Sequence, residues 1–246
     1  MKPCLLIPIF DHPKTIEAVV DALAYLGLPG LVVDDGSGVE TVRALARSSA
    51  RHTWLRVVRH PSNRGRGAAL QTGYREALRT GFTHALQLDA DAQHDAADAP
   101  RFLDAANRAP HALVLGEPSF GPEAPRARRW GRSISRFWVW VETRSLAIAD
   151  PLCGYRCMPL AETIEVLDRT PCGTHMDFDP EIAVRLHWAG VPVVNVSTRV
   201  RYYENGISHF DLVRDNLRIS WAHTRLVAEM LAHLPRRLAV PPGASR

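Results

Sequence analysis

Cys4-Leu5-Leu6-Ile7-Pro8-Ile9 opens the chain as a short unbroken apolar run, and Gly30-Leu31-Val32-Val33-Asp34 repeats the pattern after a helical interval from about Lys14 to Leu26. Runs this short, apolar at consecutive positions, read as strands buried on both faces, since a half-exposed strand would alternate. Outward from this pair the pattern continues. A helix from about Val39 to Ser49 precedes a strand Trp54 to Arg59, and a helix Gly67 to Arg79 precedes a strand His84 to Leu88. A helix near Ala97 to Asn107 and a strand Ala112 to Leu115 follow. Repeated strand–helix units predict an α/β fold, a mostly parallel Rossmann-like sheet flanked by helices. In such sheets ligands collect beyond the carboxyl ends of the strands, so the residues after each run carry the chemistry.

Beyond Leu115 the alternation fails, and Gly116 to Arg126 has the glycine and proline content of a loop. Two amphipathic helices are predicted later, at about Arg126 to Ile148 and Phe210 to Leu234. The first sets Trp130, Ile134, Phe137, Trp138 and Val141 at helical spacing among Arg126, Arg128, Arg129, Arg132 and Arg136. The second sets Trp221, Leu226, Met230 and Leu234 on one side, with Arg214, Arg218 and Arg225 elsewhere. Each is read two ways: as a basic surface for anionic membrane headgroups, or as a helix packed on the sheet with solvated arginines. The predicted organisation is one catalytic domain over 1–210, then a C-terminal amphipathic helix and tail over 211–246.

With 246 residues, 46% hydrophobic and 23% charged, the chain has the composition of one folded domain. A net charge of +4 favours an anionic partner. The arginines do not interleave with any nucleic-acid-binding motif, so nucleic acid is not expected. Cys4, Cys153, Cys157 and Cys172 form no CxxC pair and suit a reducing cytoplasm, with Cys153 and Cys157 as small packing residues. The N-terminal apolar run ends at Asp11, short of a signal peptide, and no run approaches the roughly 20 apolar residues of a membrane span. The expected setting is cytoplasmic, with peripheral attachment to the inner membrane face left open.

The fourth strand runs into Leu88-Asp89-Ala90-Asp91-Ala92-Gln93-His94. Two carboxylates one residue apart, where a strand breaks into a turn, supply the hard oxygens that Mg²⁺ or Mn²⁺ prefers. Alone, the pair is equally a turn former or a helix cap. The other strand ends weigh against that plain reading. Asp34-Asp35-Gly36-Ser37 offers carboxylates to a nucleobase or ribose. Asn63-Arg64-Gly65-Arg66-Gly67 offers glycines for close backbone approach, and Arg66 for a phosphate.

In order along the chain, Ile7-Pro8-Ile9-Phe10, Asp34-Asp35-Gly36-Ser37, Asn63-x-Gly65-x-Gly67-x-Ala69, Asp89-Ala90-Asp91-x-Gln93-His94 and Cys153-Gly154-Tyr155-Arg156 resemble the motifs of family 2 glycosyltransferases, especially the dolichyl-phosphate mannose synthase-like branch. The resemblance implies a GT-A fold, a nucleoside-diphosphate sugar as donor and inversion at the anomeric carbon. It places Pro8, Asp34 and Asp35 at the nucleoside, with Phe10 and Asn63 as further candidate substrate-binding residues. Asp89 and Asp91 fall at the metal and diphosphate, with Gln93 assisting. Phe178-Asp179-Pro180-Glu181 resembles the family segment that carries acids near the acceptor. Asp179 or Glu181, with Asp177 behind them, is thus a candidate base for a hydroxyl acceptor, or a sugar-positioning group for a phosphate acceptor. The same acids also suit the start of a helix. Arg156 falls near the donor–acceptor junction, or serves as a structural partner of Asp150.

Two departures bear on specificity. The position two residues after Ser37, often acidic in the family, is Val39, with Glu40 beside it. In Tyr202-Tyr203-Glu204-Asn205-Gly206-Ile207-Ser208-His209, Tyr203 and His209 stand where the polyprenyl-phosphate branch carries arginine and lysine. Two fixed cations are thereby lost, and His209 is a candidate phosphate ligand or base in place of the lysine. The expected activity is transfer of a sugar to a lipid-linked or hydrophobic acceptor, either polyprenyl phosphate or a hydroxyl. The rival is a nucleotide-sugar-binding or scaffolding protein with little turnover. A nucleotidyltransferase is disfavoured, because Phe10-Asp11-His12-Pro13 replaces the glycine-rich basic signature expected after its first strand.

Overall fold

The first apolar run forms β1 (Pro3–Ile9), at the heart of a seven-stranded sheet, and the next runs form β2 (Gly30–Asp34), β3 (Leu55–Arg59) and β4 (His84–Gln87). The computed structural model describes residues 1–120, 126–200 and 211–238. Helices α1 (Ile16–Leu23), α2 (Val39–Arg51) and α3 (Arg66–Arg79) make the crossovers between these strands, and α4 (Ala99–Arg108) leads into β5 (Leu113–Phe120). Next come α5 (Arg126–Thr143), β6 (Arg156–Pro159), α6 (Leu160–Arg169), α7 (Phe178–Trp188), β7 (Val193–Val200) and α8 (Arg214–Leu238).

The strand order is β3-β2-β1-β4-β6-β5-β7. Parallel registers such as Ile7↔Val32, Val32↔Val57 and Leu115↔Asn195 hold most of it, while β6 runs antiparallel to both neighbours through Leu86↔Cys157 and Val114↔Cys157. Six strands therefore end at one edge, and β6 begins there. Along β1, Cys4 and Leu6 face one side, against Leu70, Tyr74 and Ile182. Leu5, Ile7 and Ile9 face the other, against Val20, Leu45 and Phe102. Both faces are covered, as the unbroken apolar runs require, and each buried Leu or Ile contributes about 1.5–3 kcal/mol.

Three expectations are corrected. The segment Gly116–Phe120, read as loop, extends β5, because Glu117↔Ser197 through Phe120↔Val200 continue the ladder with β7. Pro118, which signalled a loop, is tolerated because β6 pairs with β5 only at Val114 and Leu115, leaving that side of the strand without a ladder. The helix expected over Arg126 to Ile148 stops at Thr143, where Arg144 turns to φ 53°. On α8, Trp221 and Leu226 do not share a side: Leu226 is buried and Trp221 is 64% exposed, since five residues advance about 140° around a helix.

On α5 the buried positions are Ser135, Val139 and Glu142, while Trp130 and Phe137 are 73% and 55% exposed, with Ile134 and Trp138 exposed beside them. The helix thus turns a narrow face to α7 and α8 and leaves its aromatic face outward. Ion pairs Arg185–Glu229 and Arg225–Glu181 and the His223–Glu142 hydrogen bond fasten α8. No helix among the described residues is long and apolar enough to cross a membrane.

Candidate active site

The sheet edge where six strands end gathers the loops after β1, β2, β3 and β4, the start of β6 and the segment leading into α7. The first loops are clasped together. The Asp11 backbone N–H donates to Ser37 Oγ at 3.0 Å, and the Gly38 N–H donates to Asp11 Oδ1 at 2.7 Å. Asp34 accepts from the Ser37 N–H at 2.9 Å and pairs with Arg59, which also reaches the Ser37 carbonyl.

Asp35 is more fully engaged. His60 Nδ1 lies 2.7 Å from Oδ1, and the N–H groups of Arg64 and Gly65 donate to the carboxylate at 3.0 and 2.7 Å. Both aspartates are almost wholly buried. Their carboxylates shape the loop that ends at α3, so any contact with a nucleoside is shared with these internal partners. Pro8 lies buried within β1, opposite Val33, and Phe10 follows at the strand's end. Asn63 is exposed and accepts from the Gly65 N–H.

The glycines of Asn63-x-Gly65-x-Gly67 admit protein rather than ligand. At Gly65, with φ +99°, an added Cβ would lie 2.3 Å from the Thr174 carbonyl oxygen. At Gly67 it would lie 2.5 Å from Phe178 Cβ. The Ala68 N–H donates to that same Thr174 carbonyl at 2.9 Å. The close approach expected for a phosphate is taken by the segment that delivers Asp179, a long-range contact that spacing in the chain does not show.

Arg66, the first residue of α3, turns back into the site. Its Nε and Nη2 donate to Asp89 Oδ1 at 3.1 and 2.6 Å, and its Nη1 pairs with Asp179. Asp179 also lies 3.3 Å from Arg156 Nη1 through Oδ1. Arg156 is completely buried and donates to the carbonyls of Cys153, Asp179 and Pro151, bracing the loop before β6 against α7. Its expected partner Asp150 is taken instead by Arg132 at 2.7 Å. Gly154 sits over Asp89, where an added Cβ would lie 2.0 Å from Oδ2.

Asp91 accepts from the Gln93 N–H at 3.0 Å in a turn that places Ala92 at φ 62°. Burial, and then the neighbouring Asp89 carboxylate, push the Asp91 carboxyl above its ordinary value. Burial works against the charged form of Asp89, but the Arg66 guanidinium and His94 together outweigh it and hold that carboxyl well below the usual range. Two carboxylates and a turn suit Mg²⁺ or Mn²⁺, ions that commonly take one or two protein carboxylates and complete their shell with phosphate oxygens and water. Among the described residues no three His, Cys, Asp or Glu side chains gather into a set that could hold a metal ion by themselves.

His94 went without a role in the sequence reading. It lies 3.7 Å from Asp89 Oδ2, packs on Tyr155 and keeps a buried Nδ1 without a hydrogen-bond partner. Glu181, paired with Asp179 as a candidate acid, is fully buried elsewhere. It accepts from the Gly173 N–H and from Arg185 and Arg225 at 2.8–3.0 Å, which makes it a tie between α7 and α8. Asp177 accepts from the His175 N–H within its own turn. His209 and Tyr203 lie outside the described residues. Burial pushes the Cys153 and Cys157 thiols up to about 12, so both are packing groups.

Comparisons agree with this geometry. The description Glycosyl transferase family 2 matches residues 4–164. An uncharacterized protein of Methanocaldococcus jannaschii, MJ0544, is 27% identical over 218 residues, covering 83% of this chain and 90% of that protein. Glycosyltransferase AglJ of Haloferax volcanii is 25% identical over 220 residues, covering 86% and 67%. Glucosyl-3-phosphoglycerate synthase from Mycobacterium tuberculosis, in complex with Mn²⁺, UDP-Glc and phosphoglyceric acid, superposes with a TM-score of 0.65 at 18% identity, over 94% of this chain and 80% of that one. Its complex with Mn²⁺ and UDP-Glc gives 0.62 at 19% identity, over 98% and 80%. At that identity the likeness is one of fold, and the fold is the expected GT-A arrangement.

Proposed function

Since the chain belongs to glycosyl transferase family 2, we propose that it moves a sugar, with inversion, from a nucleoside-diphosphate sugar to a lipid-linked or otherwise hydrophobic acceptor. The observation that carries the donor half is the convergence of Asp89, Asp91, Arg66 and Asp179 at the sheet edge. The five ordered motifs further favour the dolichyl-phosphate mannose synthase-like branch.

In this reading Asp89 and Asp91 hold Mg²⁺ or Mn²⁺ with help from Gln93. When bound, the ion supplies neutralisation of the charge that develops on the departing diphosphate. Arg66 offers a guanidinium to the same phosphates, and the loop shaped by Asp34 and Asp35 receives the nucleoside. Asp179 faces the site while Glu181 is committed to the interior, so Asp179 is the group that accepts a proton from a hydroxyl acceptor or orients the sugar. Its pairing with Arg66 and Arg156 keeps it anionic and in place. Arg156 acts as a positioning residue.

The acceptor half rests on α5 and α8, which pack against each other and carry Trp130, Phe137, Leu217 and Trp221 exposed to 55–73%. Aromatic and aliphatic side chains on helices that also bear Arg214 and Arg218 suit peripheral attachment to the anionic inner face of a membrane. A lipid-linked acceptor would be met there.

Calorimetric titration of UDP and GDP, with and without Mn²⁺, on the native protein and on Asp91→Ala, tests the donor site. Mn²⁺-dependent binding that Asp91→Ala weakens by about ten- to a hundredfold, the loss typical of removing even an outer-shell partner of a metal ligand, supports it. Binding indifferent to both Mn²⁺ and Asp91 removes it.

A further inference from the structure

One cation is already inside the site. The guanidinium of Arg66 spans from Asp89 to Asp179, and it sets a positive charge on Oδ1 of a carboxylate that would serve an incoming divalent ion. Arg66 therefore does more than wait for phosphate. We propose that Arg66 is an exchangeable internal counterion: it neutralises Asp89 and Asp179 before the donor arrives, and passes from Asp89 to the diphosphate as the donor and its metal enter together. The inference rests on the donor reading above and specifies how that site is loaded.

Three features support exchange over permanent pairing. First, the two carboxylates are unequally enclosed. The Asp89 side chain is 26% exposed and that of Asp179 only 7%, so the end of the bridge that must open is the one nearer solvent. Second, neither carboxylate is stranded when Arg66 moves, because Asp179 retains Arg156 at 3.3 Å and Asp89 gains the metal. At Asp89 the guanidinium places Nε and Nη2 on one oxygen, Oδ1, whereas a diphosphate offers each of those donors an anionic oxygen of its own.

Third, the charges balance only for joint entry. Asp89, Asp91 and Asp179 stand against Arg66 and Arg156, a net of one negative charge. A divalent ion with a doubly charged diphosphate ester leaves that net unchanged, whereas the ion alone meets a guanidinium at its own ligand. Metal and nucleotide are then each poor ligands alone and good ligands together, and by linkage each raises the other's affinity by the same factor.

The variants that separate this from a fixed structural bridge are Arg66→Gln, which keeps hydrogen-bond donors and loses the charge, and Arg66→Lys, which keeps the charge. The probes are Mn²⁺ alone, followed by the paramagnetic resonance of the free ion, and then Mn²⁺ with a UDP-sugar or a GDP-sugar by calorimetry. Circular dichroism and the thermal midpoint establish that each variant is folded.

Arg66→Gln is expected to bind Mn²⁺ alone about tenfold or more tightly than the native chain, the scale on which one opposing charge within a few ångströms biases a carboxylate. It is also expected to lose most of the mutual enhancement between Mn²⁺ and nucleotide. Arg66→Lys is expected to stay near the native values. The inference is overturned if Arg66→Gln binds Mn²⁺ no more tightly than the native chain, or if Arg66→Lys tightens binding equally. Failure of the donor reading looks different: the native chain would bind neither the UDP-sugar nor the GDP-sugar, whatever Mn²⁺ does.

Discussion

Gly154→Ala is the most informative single substitution at the sheet edge. The added Cβ would lie 2.0 Å from Asp89 Oδ2, 2.8 Å from Asp89 Cγ and 2.9 Å from Arg66 Nη2. Ordinary contact begins near 3.4 Å, so the Asp89 carboxylate must retreat by about 1.4 Å. Its side chain is partly exposed, so it has somewhere to go. The cost to folding should then sit at the low end for overpacking, about 1 kcal/mol, which for a chain of this size lowers Tm by about 2–4 °C. The effect on the site is larger, because a misplacement of about 1 Å in a positioned group costs on the order of a hundredfold. The expected result is a folded protein, only slightly less stable, whose Mn²⁺-dependent nucleotide affinity falls by about two orders of magnitude. Differential scanning calorimetry and isothermal titration read the two halves separately. Gly131→Ala is the control, since nothing lies within 4 Å of its added Cβ and a helix gains about 0.5–1 kcal/mol from the exchange. Gly154→Ala with native nucleotide affinity would refute the placement of Asp89 in the donor site.

Glu181→Ala should destabilise the fold by about 3 kcal/mol, the low end for breaking a buried pair, because it takes the carboxylate from Arg225 and leaves Arg185 with Glu229 alone. Urea unfolding measures this, and lost activity with stability intact would instead make Glu181 a catalytic residue. Metal-dependent binding should weaken on acidification. The Asp91 carboxyl is held above 3.8 by burial and by Asp89, so it takes a proton, and stops acting as an anionic ligand, at a higher pH than an ordinary aspartate. Titrations of Mn²⁺ with nucleotide from about pH 4 to about pH 8 should show the loss beginning above 3.8, and a profile set by an ordinary aspartate would count against the coupling of the two acids. The native chain should sediment with phosphatidylglycerol vesicles and not with phosphatidylcholine ones. Replacing Trp130 and Phe137 together by serine should weaken this by about tenfold or more, given the apolar area removed; unchanged sedimentation would place the membrane contact elsewhere or nowhere.

What the sequence discloses follows from the range of the forces involved. β1 and β2 are legible because strands covered on both faces are apolar at successive positions, and Leu5 and Leu6 serve opposite layers, whereas β3, with Arg56 and Arg59 at the sheet's edge, and β4 are legible from their place in the strand–helix alternation. Asp89 and Asp91 are legible as a site only beside the acids and glycines at the neighbouring strand ends, because two acids in a turn after a strand are otherwise ordinary turn formers. The second half is harder to read. β6 is four residues long and reversed in direction, and the end of β5 contains Gly116 and Pro118, residues that argue for a loop until β7 pairs with them. The exposed aromatic face of α5 follows a good helical period, yet the helix is turned by α7 and α8, and periodicity cannot say which way a stripe points. The different fates of Asp179 and Glu181 depend on partners dozens of residues away, and so does the bridge that Arg66 makes.

The contact between the start of α3 and the Thr174–Phe178 segment makes a single hinge pin of two motifs far apart in the chain. With Gly65 and Gly67 flush against that segment, and the Ala68 N–H tied to the Thr174 carbonyl, the loop at Asp35 and the helix bearing Asp179 move as one piece or not at all. The amide of Ala68 is consequently a built-in gauge. Its exchange with solvent deuterium reports the parting of the two walls of the cleft, and a ligand that draws them together should slow that one proton before it slows the amides of the sheet.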